Sequence, residues 1–155
     1  MDTIQHFLLE DLDIRGALVQ LGPSWAAMTA RRQFAEPVRQ LLGELAAVTA
    51  LIGSNLKSPG RVSFQLQGNG PVSMLLMDCN DQLQLRGTAK SGLDAGAASH
   101  ISRVGELLGD GRMLMTLHTN SSSTSYQSVV PIEGDTLAAM FESFFEQSEQ
   151  QPTRL

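Results

Sequence analysis

Glu133 and Asp135 stand two residues apart, a spacing at which paired carboxylates could divide acid and base work if their surroundings pushed their pKa values apart. Gly134 between them and the apolar positions from Leu137 onward argue instead for a turn leading into a helix whose N-cap is Asp135. The imidazoles are His6, His100 and His118 and the one thiol is Cys79. No two of the histidines share the i, i+4 spacing of helical ligands, and no carboxylate or thiolate cluster accompanies them, so the sequence offers no metal site. A lone cysteine can form neither an internal disulfide nor a CxxC motif. Asp78 and Asp81 beside Cys79 disfavour a thiolate there. Gly68-Asn69-Gly70-Pro71 could bring backbone N–H groups to a phosphate, but it lacks the lysine and following helix of a P-loop and reads as a turn between strands. The hydroxyls from Ser121 to Ser125 have no adjacent base and read as a polar hairpin tip. The sequence therefore assigns no catalytic residue, no metal ligand and no cofactor, and the chain is not expected to be an enzyme.

The elements that would position any site follow from periodicity. Ile14 to Leu21 reads as the first strand, ended by Gly22-Pro23. Ser24 stands where the N-cap of a short helix would be. Pro37 suits a first helical turn, and Val38, Leu41, Leu42, Leu45, Val48 and Ile52 recur at helical spacing, which predicts the longest buried helix. From Arg61 the period falls to two, with Val62, Phe64 and Leu66 alternating against polar residues. Val72 to Met77 is nearly continuously apolar, which predicts a strand covered on both faces. Leu83 and Leu85 alternate with Gln82, Gln84 and Arg86 after an Asn80-Asp81 turn, giving a third strand of one antiparallel meander. Gly92 to Ala98 reads as a loop, and Ile101, Val104, Leu107 and Leu108 as a short helix ended by Gly109. Met113 to Leu117 and Tyr126 to Ile132 form a further hairpin. A last helix places Leu137, Met140, Phe141, Phe144 and Phe145 on one stripe. The expected fold class is α+β, a single domain with antiparallel sheets packed against helices.

With 155 residues the chain fits one domain that can bury about 70% of its unfolded surface. A net charge of -5, from 11 basic and 16 acidic residues, argues against a nucleic-acid or polybasic membrane-binding surface. No leader pattern and no apolar run near the roughly 20 residues of a membrane span is seen, so the expected location is cytoplasmic. Of the seven methionines, Met74, Met77, Met113 and Met115 fall in the expected strands. Methionine suits promiscuous surfaces, but core filling is the reading that periodicity favours.

Three stretches, in this order, carry a resemblance: VSFQLQGNGP from Val62 to Pro71, VPIEGDTLA from Val130 to Ala138, and SEQQPTRL from Ser148 to Leu155. With Arg15-Gly16 and the helix around Leu41 to Leu56, they make the whole chain resemble the N-terminal core of the heat shock protein 33 family of redox-regulated holdase chaperones. The resemblance implies an ATP-independent, cytoplasmic holdase that binds unfolding client proteins under oxidative and heat stress. It also implies a homodimer in the active form. The family pattern continues with further core strand, a linker and a cysteine-rich CxC…CxxC segment that holds zinc when reduced and forms disulfides when oxidised. That segment is missing from the 155 residues, and Cys79 cannot take its place. Within the chain, Met140, Phe141, Phe144 and Phe145 are the candidate client-binding residues, as a surface for exposed apolar segments. The alternative is an inert structural or interaction domain in which those side chains are all core.

Overall fold

The computed structural model describes residues 1–94, 103–149 and 152–155. An antiparallel ribbon of β1 (Thr3–Leu9) and β2 (Ile14–Gln20) comes first, joined through a 3-10 turn at Glu10–Leu12. Helices α1 (Pro23–Thr29) and α2 (Glu36–Ser54) follow, then strands β3 (Gly60–Gln67), β4 (Val72–Cys79) and β5 (Leu85–Ser91). The chain continues with α3 (Val104–Leu108), β6 (Arg112–Thr119), β7 (Ser125–Pro131) and α4 (Leu137–Phe144). This is the α+β arrangement of antiparallel sheets against helices that the sequence predicts. The expected loop beyond residue 94 and the start of the third helix at Ile101 lie outside the described residues, as does His100.

Alternation of Val62, Phe64 and Leu66 with polar residues puts one side of β3 in the core, since successive side chains of a strand point to opposite faces. β3 is the middle of a five-stranded sheet of order β5-β4-β3-β6-β7. The meander β3-β4-β5 forms as expected, and the β6-β7 hairpin adds to the other side of β3. Register places Phe64 between Met77 and Met115, and Leu66 between Leu75 and Met113. Those methionines fill the core.

Helix α2 lies over this face because Val38, Leu41, Leu42, Leu45 and Ala46 recur on one side of it, all buried. α3 and α4 complete the roof, with Leu107, Leu108, Leu137 and Phe141 in the same core. Among the described residues no helix covers the opposite face of the sheet. β4 is therefore covered on one side and not on both: Leu75, Met77 and Cys79 are buried, while Met74 and Leu76 on the other side are half-buried. Asp78 on that second side is satisfied by the Ser63 hydroxyl and by Arg86 Nη2 at 2.7 Å.

Local boundaries depart from expectation in four places. β1 was not foreseen; apart from half-buried Ile4 its residues are exposed, so no buried face imposes a two-residue period. Helix α1 begins after Gly22, and Ser24 lies within its first turn. The capping acceptor is the Asp2 carboxylate, which takes Gly22 N–H at 2.7 Å, Ser24 N–H at 3.1 Å and the Ser24 hydroxyl. A carboxylate twenty residues away in sequence thus does what a local hydroxyl was expected to do. Leu83 is not in β5: it takes φ 59° in the turn, where Asn80 Oδ1 accepts from Gln82 and Gln84 N–H. Finally, α4 is capped by Thr136, whose Oγ1 accepts Ala139 N–H at 3.0 Å, and not by Asp135. Asp135 instead lies 4.0 Å from Arg103 in an exposed pair.

Candidate functional site

Helix α4 presents its stripe inward. Phe141 is fully buried, Met140 and Phe144 are nearly so, and Phe145 is half-buried against the core. The rings pack edge to face: Phe64 to Phe141 at 5.1 Å between centroids, Phe141 to Phe144 at 6.5 Å and Phe144 to Phe145 at 5.6 Å. Such geometry suits the ring quadrupoles and adds to the area each ring buries. After Phe144 the helix widens into a π turn, Phe145–Glu149. In this folded arrangement the stripe is core packing: Leu137, Met140, Phe141 and Phe144, four of its five side chains, are buried.

The groups that could do chemistry stay apart. Gly134 turns the chain at φ 99° between Glu133 and Asp135. His6 Nε2 pairs with Ser54 Oγ at 3.2 Å at the end of α2, and His118 sits opposite Arg61 on the sheet. Cys79 is buried against Gly53, and burial pushes its thiol pKa up, the opposite of an activated nucleophile. The glycine turn between β3 and β4 is filled by protein. Gly70 N–H donates to Leu108 C=O at 3.0 Å, Asp110 N–H donates to Asn69 Oδ1 at 2.9 Å, and a Cβ on Gly68 would lie 1.8 Å from Leu108 O. Both glycine N–H groups are spent within the fold, Gly68 donating to Ser73 C=O at 3.1 Å as well, so the turn does not read as a phosphate cradle. Among the described residues no group of three or more His, Cys, Asp or Glu could hold a metal ion.

Apolar surface lies elsewhere. Phe7 (52% exposed), Leu9, Ile14 and Leu18 (62% exposed) project from one side of the β1-β2 ribbon, and Leu12 (66% exposed) from its tip. The other side of the ribbon turns toward α2, through His6 to Ser54 and through Val19, which shares a shallow groove with Leu21, Trp25, Gly43 and Ala47. Arg39 lies 5.7 Å from the centre of the Trp25 ring beside that groove. Sequence reasoning passed over the ribbon surface. Its signal was the run FLLEDLDI from Phe7 to Ile14, apolar residues mixed with acids at no regular period. No helix is long and apolar enough to cross a membrane among the described residues.

A five-stranded antiparallel sheet roofed on one face by helices, with a two-stranded ribbon beside it, is the fold of a known class of chaperone. The 33 kDa chaperonin (heat shock protein 33 homolog) of Thermotoga maritima superposes with a TM-score of 0.80 at 19% identity, over 97% of this chain and 52% of that one. By sequence, the 33 kDa chaperonin of Shewanella denitrificans is 42% identical over 154 residues, which is 99% of this chain and 52% of the relative. That of Caulobacter vibrioides is 41% identical over 158 residues, with the same coverage of each. The family model described as Hsp33 protein matches residues 2–155, and the chain belongs to that family. It spans about half the length of these curated relatives.

Proposed function

We propose that the chain is the client-holding core of an ATP-independent chaperone, which binds unfolding proteins and keeps them from aggregating under heat and oxidative stress. The observation that carries this reading is the exposed apolar side of the β1-β2 ribbon, with Phe7, Leu12 and Leu18 each more than half open to water. Contiguous exposed apolar surface is costly unless it is used, and holding the apolar segments of another chain is a use that needs no bond chemistry. Names of the relatives support the same reading.

The finer parts of the reading rest on the family resemblance. They are a cytoplasmic location, dimers in the active form, and control by redox state. Zinc held by four thiolates would stabilise the segment it closes and release it on oxidation. The residues of this chain do not fit that metal, since Cys79 is the single thiol and, among the described residues, no group of three or more His, Cys, Asp or Glu could hold a metal ion. Met140, Phe141, Phe144 and Phe145 enter as a latent surface, reached by a client only when α4 lifts from the sheet. Their burial favours the rival reading for that stripe, a helix that serves packing alone.

Light scattering from a heat-unfolded client, with and without the chain and after peroxide or thiol reduction, tests the proposal. Suppression that ignores redox state is the expected result. A chain that suppresses nothing in either state, and binds no apolar dye while cooperatively folded, is the inert domain instead.

A further inference from the structure

The ribbon that carries exposed apolar surface also carries a charge pattern. Register puts Phe7 opposite Gly16 and Leu9 opposite Ile14 on the outward side, with Leu18 opposite Gln5. A Cβ on Gly16 would meet the far end of the Phe7 ring at 2.1 Å, so that end of the ring sits over the glycine. At the end of this patch the turn supplies Glu10, Asp11 and Asp13, exposed around Leu12, against the single cation Arg15. Arg15 pairs with Leu8 on the other side of the ribbon. Among the described residues this two-stranded sheet also has outer edges with no strand beside them, the main-chain template that an extended segment can extend.

We propose that the outward side of the β1-β2 ribbon docks extended, unfolded segments that combine apolar side chains with lysine or arginine, the cations being read by Glu10, Asp11 and Asp13. This deepens the chaperone reading and rests on it, by naming the class of segment held. The apolar patch supplies contact area. The carboxylates lie within about a Debye length, ~8 Å at physiological salt, of anything seated on Leu9 and Ile14, so they steer cationic segments and repel acidic ones. The chain's overall charge of -5 acts in the same sense. A second copy of this chain fits less well, because it would bring three further carboxylates to the same acidic patch.

The test uses the full chain and two fluorescein-labelled peptides of identical alternating pattern, Leu-Lys and Leu-Glu, read by fluorescence anisotropy. The Lys peptide is expected to bind at least tenfold more tightly at low salt, the preference shrinking as salt is added. I14T/L18Q exchanges exposed side chains for strand-compatible polar ones. It is expected to keep the melting curve and to weaken binding of the Lys peptide by about tenfold, the scale set by taking two apolar side chains out of the docking face. E10Q/D11N/D13N is expected to erase the preference between the peptides while leaving residual binding of both; Asn tolerates the left-handed backbone at residue 13. Equal binding of the two peptides, or unchanged binding by a folded I14T/L18Q, overturns the proposal. So does sedimentation as a dimer that I14T/L18Q converts to monomer with no peptide bound by either form. The client-scattering assay separates the two levels. Suppression retained in a folded I14T/L18Q removes the docking face and leaves the chaperone reading. Peptide discrimination without any suppression by the wild-type chain does the reverse.

Discussion

Phe141→Ala decides whether the aromatic stripe of α4 is core or surface. The ring is fully buried and touches Phe64 and Phe144 edge to face. Truncating a fully buried phenylalanine costs about 3–5 kcal/mol, the burial of the ring and the cavity left behind both included. Set against a typical total of about 5–15 kcal/mol, that is about a fifth of the stability or more. For a chain of this length each kcal/mol moves Tm by about 2–4 °C, so a fall of roughly 10 °C is expected. Phe145→Ala is the control, because that ring is half-buried with one ring partner, and its expected cost is about 1–2 kcal/mol. Urea unfolding followed by far-UV circular dichroism gives both values, read as a shift in midpoint at unchanged slope. If Phe141→Ala costs less than about 1 kcal/mol, or less than Phe145→Ala, the packing argument is refuted. If it leaves Tm intact and abolishes client holding, the stripe is a surface after all.

Other outcomes follow from single contacts. Asp2 has its pKa held below the ordinary 3.8 by the Ser24 hydroxyl first and Gly22 N–H second. Its contribution is therefore complete above that ordinary value and is lost as pH falls through the lowered one. Asp2→Asn should flatten the acid limb of Tm against pH below about 4 and leave Tm at pH 7 less than the wild type's. Thr136→Ala should cost about 1 kcal/mol by freeing Ala139 N–H, whereas Asp135→Ala should cost close to nothing, its pair with Arg103 being exposed and long; equal costs in chemical denaturation would place the cap wrongly. Cys79 is fully buried with a raised pKa, so iodoacetamide at pH 8 should label it only as fast as the chain unfolds, and mass spectrometry showing rapid labelling of the native protein would contradict its burial.

Where a residue's neighbours in the fold are also its neighbours in period, the sequence was a sufficient guide. The alternation of Val62, Phe64 and Leu66 and the helical spacing from Val38 to Ile52 each encode an element whose single buried face writes itself into the residue order. The stripe of α4 was legible as a stripe, but a pattern of apolar residues does not say whether the face they form is covered, and burial came from the sheet that meets it. β1 and the capping of α1 were not legible. A strand with almost no buried residue has no alternation to show, and the Asp2 cap depends on a partner that only the folded chain brings near. The outward ribbon surface was hidden for the same reason, since exposed apolar residues among acids have no periodic signature. The family resemblance extended over these blind regions because it compares residues in order and needs no period.

The glycine turn between β3 and β4 has a consequence for how freely this chain can vary. At Gly68 a methyl group would meet the Leu108 carbonyl, and at Gly70 it would lie 2.5 Å from the Leu107 carbonyl. Both obstacles are main chain, which no exchange of neighbouring side chains can remove. Saturation libraries at these two positions should return glycine alone even where every other residue is randomised around them, while Asn69 between them should yield to Asp, which keeps an acceptor for Asp110 N–H. Compensating mutations, the usual route by which drifting sequences recover a lost fit, are closed at this corner, so two side-chain-free positions fix the path of α3 across the end of the sheet.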